Sequence, residues 1–186
     1  MGYTRDTVKG LSWITLLRVL TRLTTFVRLS ILGRLLSPAQ FGYFGIATLV
    51  LSLLEILTET GINVFLVQEK GDIKKYINSA WVVSILRGIL LALLIFLSAP
   101  FIASFFNAKE ALSVIALVAI VPLIRGFINP AVITYQKELL FQKEFQLRST
   151  LFFIDVVISI IAGFVLRSAT AFVYGLIASA IVEVFL

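Results

Sequence analysis

The chain has no cysteine and no histidine among its 186 residues. The first absence excludes a disulfide framework and any thiol chemistry. The second removes the commonest metal ligand and the side chain that titrates near neutrality. Charge is also scarce. Only 14% of residues are Asp, Glu, Lys or Arg, against about 25% in a soluble domain. What fills the space is apolar: 60% of residues are hydrophobic and the mean hydropathy is +1.05. A water-soluble core of this length cannot hide so much Leu, Ile, Val and Phe, so the composition argues against an apolar soluble bundle and for the membrane as solvent. The net charge of +6 does not indicate nucleic-acid binding, because the basic residues lie inside apolar runs or at their ends. The first apolar run is too long for a cleavable signal peptide, carries arginines and lacks a small-residue cleavage site.

A spanning helix needs roughly 20 mostly apolar residues, and six such runs are legible. They cover about 8–36, 41–67, 78–101, 112–135, 147–166 and 170–186. The expected fold class is therefore an all-α polytopic membrane protein with six transmembrane helices. The separators contain turn formers or charge: "SPAQFG" (37–42), "EKGDIKKYINS" (69–79), "APFIASFFNAKEA" (99–111) and "RSAT" (167–170). Lys and Arg in short loops set orientation. Arg5, Lys9, Lys70, Lys74, Lys75, Lys137, Lys143 and Arg148 fall on one side, and only Arg34, Lys109 and Arg167 on the other. This bias places the N-terminus in the cytoplasm. The segment "YQKELLFQKEFQLR" (135–148) alternates apolar and charged residues at helical spacing. It reads either as an extension of span four followed by a short interfacial helix or as a plain charged loop. The sequence stops within an apolar run, "IASAIVEVFL", which suggests a truncated chain.

The stretch "LLRVLTRLTTFVRLSILGRLL" (16–36) is apolar enough for a bilayer, yet it holds Arg18, Arg22, Arg28 and Arg34. At about 100° per residue, with Arg18 at zero, Arg22 falls near +40°, Thr25 near −20°, Thr21 near −60° and Arg28 near −80°. One polar stripe holds them all. At about 1.5 Å per residue, Arg18 to Arg28 covers roughly 15 Å of depth. Arg34 sits at the far interface and can snorkel. An arginine facing lipid costs about 2.5–3.5 kcal/mol on insertion scales, so three cost roughly 8–10 kcal/mol. They must face inward, toward water or partners. Arg87 in span three and Arg125 in span four add to them, against Glu55, Glu59, Asp155 and Glu183. Two readings follow. Arg–acid pairs between helices could staple the bundle, since buried charges are usually paired. Alternatively, a cationic cavity could receive an anionic substrate, because the guanidinium fork bonds two phosphate oxygens at once. Span one has no acid of its own, which favours the cavity. Glu55 and Asp155 are candidate ion- or proton-coupling sites. In "VPLIRGFINP" (121–130) two prolines and a glycine free backbone groups and permit bending.

Several motifs carry a resemblance. These are "RLLSP..FG" (34–42), "G....LVQ" (61–68), "AP..A.FF" (99–106) and "Q.EL.F.K.F" (136–145), with "GLSWITLL" (10–17) ahead of them. In order and spacing they resemble the N-terminal half of the bacterial polysaccharide and O-antigen flippases, the lipopolysaccharide-biosynthesis branch of the multidrug/oligosaccharidyl-lipid/polysaccharide exporter superfamily. The resemblance implies two six-helix lobes that rock to give alternating access. This chain would supply the N-terminal lobe over 1–186 and the C-terminal lobe would be absent. It further implies transport of an undecaprenyl-pyrophosphate-linked oligosaccharide across the bacterial inner membrane, from the cytoplasmic to the periplasmic leaflet. Arg18, Arg22 and Arg28 would meet the pyrophosphate, with Arg87 and Arg125 as further members of a cationic cavity. The implied partners are that lipid-linked oligosaccharide and membrane lipid, with the polysaccharide polymerase and chain-length machinery as further candidates. No nucleic acid, no metal, no cofactor and no enzymatic step are implied, and no P-loop is present in the sequence.

Two other functions compete. A drug or small-cation exporter of the same superfamily would favour acids over arginines in its cavity, against the pattern of span one. A non-transporting membrane subunit or truncated relic fits the abrupt end at Leu186.

Overall fold

A computed structural model of the chain describes residues 2–59, 61, 74–138 and 140–186. All regular structure among these residues is helical. Helix α1 (Gly2–Leu35) is followed by α2 (Pro38–Leu57), α3 (Lys74–Phe105), α4 (Ala111–Val118), α5 (Ile120–Arg125), a 3₁₀ turn (Pro130–Val132), α6 (Ile133–Lys137), α7 (Phe141–Leu166) and α8 (Thr170–Phe185). The segments Pro38–Leu57, Tyr76–Phe105 and Phe141–Leu166 are long and apolar enough to cross a membrane, and Ala111–Arg125 and Thr170–Phe185 are shorter apolar stretches. The protein is an all-α polytopic membrane protein.

Helix boundaries follow local chemistry. Ser37 is extended (φ −72°, ψ 154°) and Pro38 opens α2, where its missing N–H costs nothing and its fixed φ suits the first turn. Helix α2 stops at Leu57, and the Thr58 hydroxyl donates to the Leu54 carbonyl at 2.6 Å. The expected run of span two to Val67 falls, at 60 and over 62–67, outside the described residues. Helix α3 extends the expected 78–101 at both ends and closes on Asn107, whose φ is +50°. There the Ala108 N–H donates to the Ala103 carbonyl (2.9 Å) and the Asn107 N–H to the Ser104 carbonyl (3.0 Å). This is the 6→1 and 5→2 pattern of a Schellman close, with asparagine in the left-handed position that glycine usually takes.

Span four does not form the continuous helix expected over 112–135. It breaks into α4, α5, the 3₁₀ turn and α6. Pro122 and Pro130 cannot donate to the carbonyls four residues before them. Asn129, preceding Pro130, is extended (φ −67°, ψ 120°), as steric conflict with the proline ring demands. Its Oδ1 accepts from the Ala131 N–H at 2.9 Å. The segment 141–148 is neither a separate interfacial helix nor a loop: it forms the first turns of α7.

Packing centres on α8. It pairs with α7 and also touches α2, α4 and α5, while α1 packs on α7, and α3 on α4 and α5. Val50, Leu51, Ile95, Ile115, Val118, Val121 and Val173 form the main core. A second cluster joins Leu32, Leu36 and Phe172, with Phe44 stacked on Phe172 at 4.4 Å between centroids and Phe41 edge-on at 5.4 Å. The outer face of α3 leaves Val82, Leu86, Leu90, Leu93, Leu97 and Phe101 exposed at helical spacing. Such a stripe is stable against lipid tails but not in water.

Candidate functional site

A cleft of about 560 Å³ opens between the end of α2, the middle of α3 and the broken fourth span. Glu55 comes from α2 and Glu59 from just beyond its end, Ser84 and Arg87 from α3, Arg125 from α5 and Arg148 from α7. The floor is glycine. A Cβ on Gly88 would stand 2.6 Å from the Pro122 carbonyl oxygen and 3.0 Å from the Gly126 Cα, so α3 and α5 approach this closely only because side chains are missing there.

The charges meet at Glu55. Arg125 Nη1 donates to Glu55 Oε1 at 3.1 Å. Arg87 Nη2 donates to the Glu55 backbone carbonyl at 2.6 Å, and Arg87 Nε to Thr58 Oγ1 at 3.2 Å. Arg87 thus satisfies carbonyl-end groups of α2, where the helix dipole also favours a cation. Arg148 lines the same cleft and lies 3.9 Å from Glu144, one turn earlier on α7.

The remaining arginines separate. Arg28 Nη1 bonds Asp155 Oδ2 at 2.6 Å, with both side chains largely buried. Asp155 Oδ1 also accepts from the Ser159 hydroxyl at 3.2 Å. The Phe172 ring lies 5.5 Å from the guanidinium, within cation–π range. Arg18 and Arg22 are exposed and have no ion-pair partner among the described residues. The five arginines of the sequence reading therefore occupy three places: Arg87 and Arg125 in the cleft, Arg28 in a buried pair, and Arg18 with Arg22 on an open face of α1. Asp155 holds Arg28, and Glu55 holds Arg125 through its carboxylate and Arg87 through its backbone carbonyl. Among the described residues no group of three or more His, Cys, Asp or Glu could hold a metal ion.

Sequence reasoning used Arg148 only as a loop charge that sets orientation, and passed over Thr58, Ser159 and Gly175. Arg148 and Asp155 are seven residues apart and so share a face of α7, a signal available once 141–148 is read as helix. Gly175 is needed because a Cβ there would overlap Ser159 Oγ and Asp155 Oδ1. Only the packed helices reveal that need.

Residues 31–186 match the family described as "Polysaccharide biosynthesis protein". The chain belongs to this family. Glu55, Arg87, Arg125 and Asp155 fall inside the matched region, and Arg18, Arg22 and Arg28 precede it. The chain is also 24% identical over 175 residues to an "Uncharacterized membrane protein in cps region" of Klebsiella pneumoniae, which covers 94% of this chain and 36% of that relative. The chain thus spans about a third of the length of the curated relative it matches. No solved structure matches. Family membership and the helices together place the chain in polysaccharide biosynthesis as a multi-pass membrane protein.

Proposed function

We propose that the chain forms the N-terminal lobe of a flippase for an undecaprenyl-pyrophosphate-linked oligosaccharide, working by alternating access in the bacterial inner membrane with its N-terminus in the cytoplasm. A second lobe, from further sequence or a second chain, completes the transport path. The observation that carries the reading is the pair Arg18 and Arg22. They lie one turn apart on α1, exposed and without an ion-pair partner among the described residues. At about 2.5–3.5 kcal/mol each, facing lipid is costly. A polar inter-lobe cleft that receives a diphosphate resolves that cost, because charge attraction is far stronger there than in water. Arg87 and Arg125 extend the cationic path, while Arg28 is held back by Asp155. Glu55 and Asp155 are the acids through which an ion or proton gradient would act. The process makes and breaks no bond, so it calls for no nucleophile or cofactor. Both of these acids are engaged by arginines, which favours an anionic cargo over a cationic drug.

The test follows lipid-linked oligosaccharide in cells whose complete transporter carries Arg22→Gln at normal expression. Accumulation on the cytoplasmic leaflet, with the protein inserted and folded, is expected. Undiminished export would remove Arg22 from the substrate path.

A further inference from the structure

The Arg28–Asp155 and Arg125–Glu55 ion pairs differ in a way that bears on the cleft. In Arg28–Asp155 the side chains are 12% and 8% exposed; in Arg125–Glu55 they are 38% and 33% exposed. The first pair is closed to a ligand. The second stands at the edge of the 560 Å³ cleft, with Arg148 lining the same space. Arg87 is anchored on the Glu55 carbonyl and Thr58 hydroxyl of α2. The Arg125 side chain, by contrast, is held through the Glu55 carboxylate. A guanidinium fork offers its paired donors to phosphate as readily as to carboxylate. A diphosphate brings more negative charge than one carboxylate, and a partly exposed pair is weak enough to be exchanged.

We infer that Glu55 is a built-in stand-in for phosphate: its carboxylate occupies Arg125 until a diphosphate group enters and displaces it. This rests on the reading that the cleft receives an anionic head group. Arg125 is then the exchangeable ligand, and Arg87 a fixed anchor that keeps the end of α2 in place during the exchange. Glu55 sets a threshold. Weak monoanions do not displace it, whereas a diphosphate does.

The test measures binding of inorganic pyrophosphate, and separately of a short-chain polyprenyl diphosphate in lipid nanodiscs, to the complete protein. Glu55→Gln is expected to tighten binding about 3–10-fold. Glu59→Gln removes the same charge one turn away and should tighten it less. Adding Arg125→Gln to the Glu55→Gln protein should abolish the gain. Glu55→Ala gives the same comparison if the glutamine variant inserts poorly. A gain for both probes supports recognition of the phosphates themselves, and a gain for the lipid probe alone supports a head group presented from the bilayer. Equal effects of the Glu55 and Glu59 variants would overturn the inference, since net charge alone would explain them; so would no binding of either probe to any variant. Absence of transport by the unsubstituted protein, with the Glu55-specific gain in binding intact, would remove the flippase reading and leave this one standing.

Discussion

Arg28 shows how a guanidinium is kept within the helix packing. Its Nη1 meets Asp155 at 2.6 Å, Ser159 supports the carboxylate, and Phe172 covers the cation. Removing one partner of a buried pair leaves an uncompensated charge, which typically costs about 3–5 kcal/mol. Asp155→Ala should therefore destabilise the protein by about that amount, read as loss of thermal stability in detergent. Arg28→Met added to Asp155→Ala should restore most of it. If the single and double variants melt alike, the pair is not what holds α1 on α7. The sequence contained part of this. Arg28 is offset by about 80° from Arg18 on the helix, enough for the two to face different surroundings. What it did not contain is which helix lies beside α1. Asp155 stood out as an intramembrane acid, but its partner is 127 residues away in the chain. Such a contact is fixed by helix packing and leaves no periodic trace.

At the level of elements, the long apolar helices were legible and the broken one was not. Spans two, three and five correspond to helices long and apolar enough to cross a membrane, and the helices of spans three and five run beyond the expected bounds, while that of span six is a shorter apolar stretch. Span four failed as a continuous helix because two prolines eight residues apart interrupt the backbone ladder twice, and Gly126 between them adds no side chain to support it. The hydropathy of 112–135 is blind to that interruption. The break has a consequence. It leaves the Pro122 carbonyl and Gly126 directly against Gly88 of α3, forming the floor of the cleft. Gly88→Ala would drive a Cβ to 2.6 Å from a backbone oxygen, a neighbour that cannot swing aside. The expected cost is about 1–3 kcal/mol, together with a measurable separation of α3 from α5 by spin-label distances. Gly33, whose Cβ would meet nothing within 4 Å, is the matched control and should tolerate alanine with little more than the usual glycine-to-alanine gain in helix propensity. Equal tolerance at both positions would contradict the close approach.

For the whole molecule, composition announced the solvent before any element was assigned. The exposed leucines and phenylalanines of α3 are the surface that a bilayer covers. The charges then divide by environment. One pair is sealed between α1, α7 and α8, one group lines an open cleft, and two arginines face outward from α1. The cavity reading of the sequence placed all five arginines together and did not contain this division, which depends on how α1, α2, α3, α5 and α7 are set against one another. The most direct test reconstitutes the complete transporter in vesicles with a fluorescent polyprenyl-diphosphate oligosaccharide and follows its appearance in the opposite leaflet with a membrane-impermeant quencher. A flippase should give protein-dependent translocation that Arg18→Gln with Arg22→Gln reduces by an order of magnitude or more, about 1.4 kcal/mol per tenfold. Translocation no faster than in protein-free vesicles, from a folded and inserted protein under an imposed ion gradient, would contradict it.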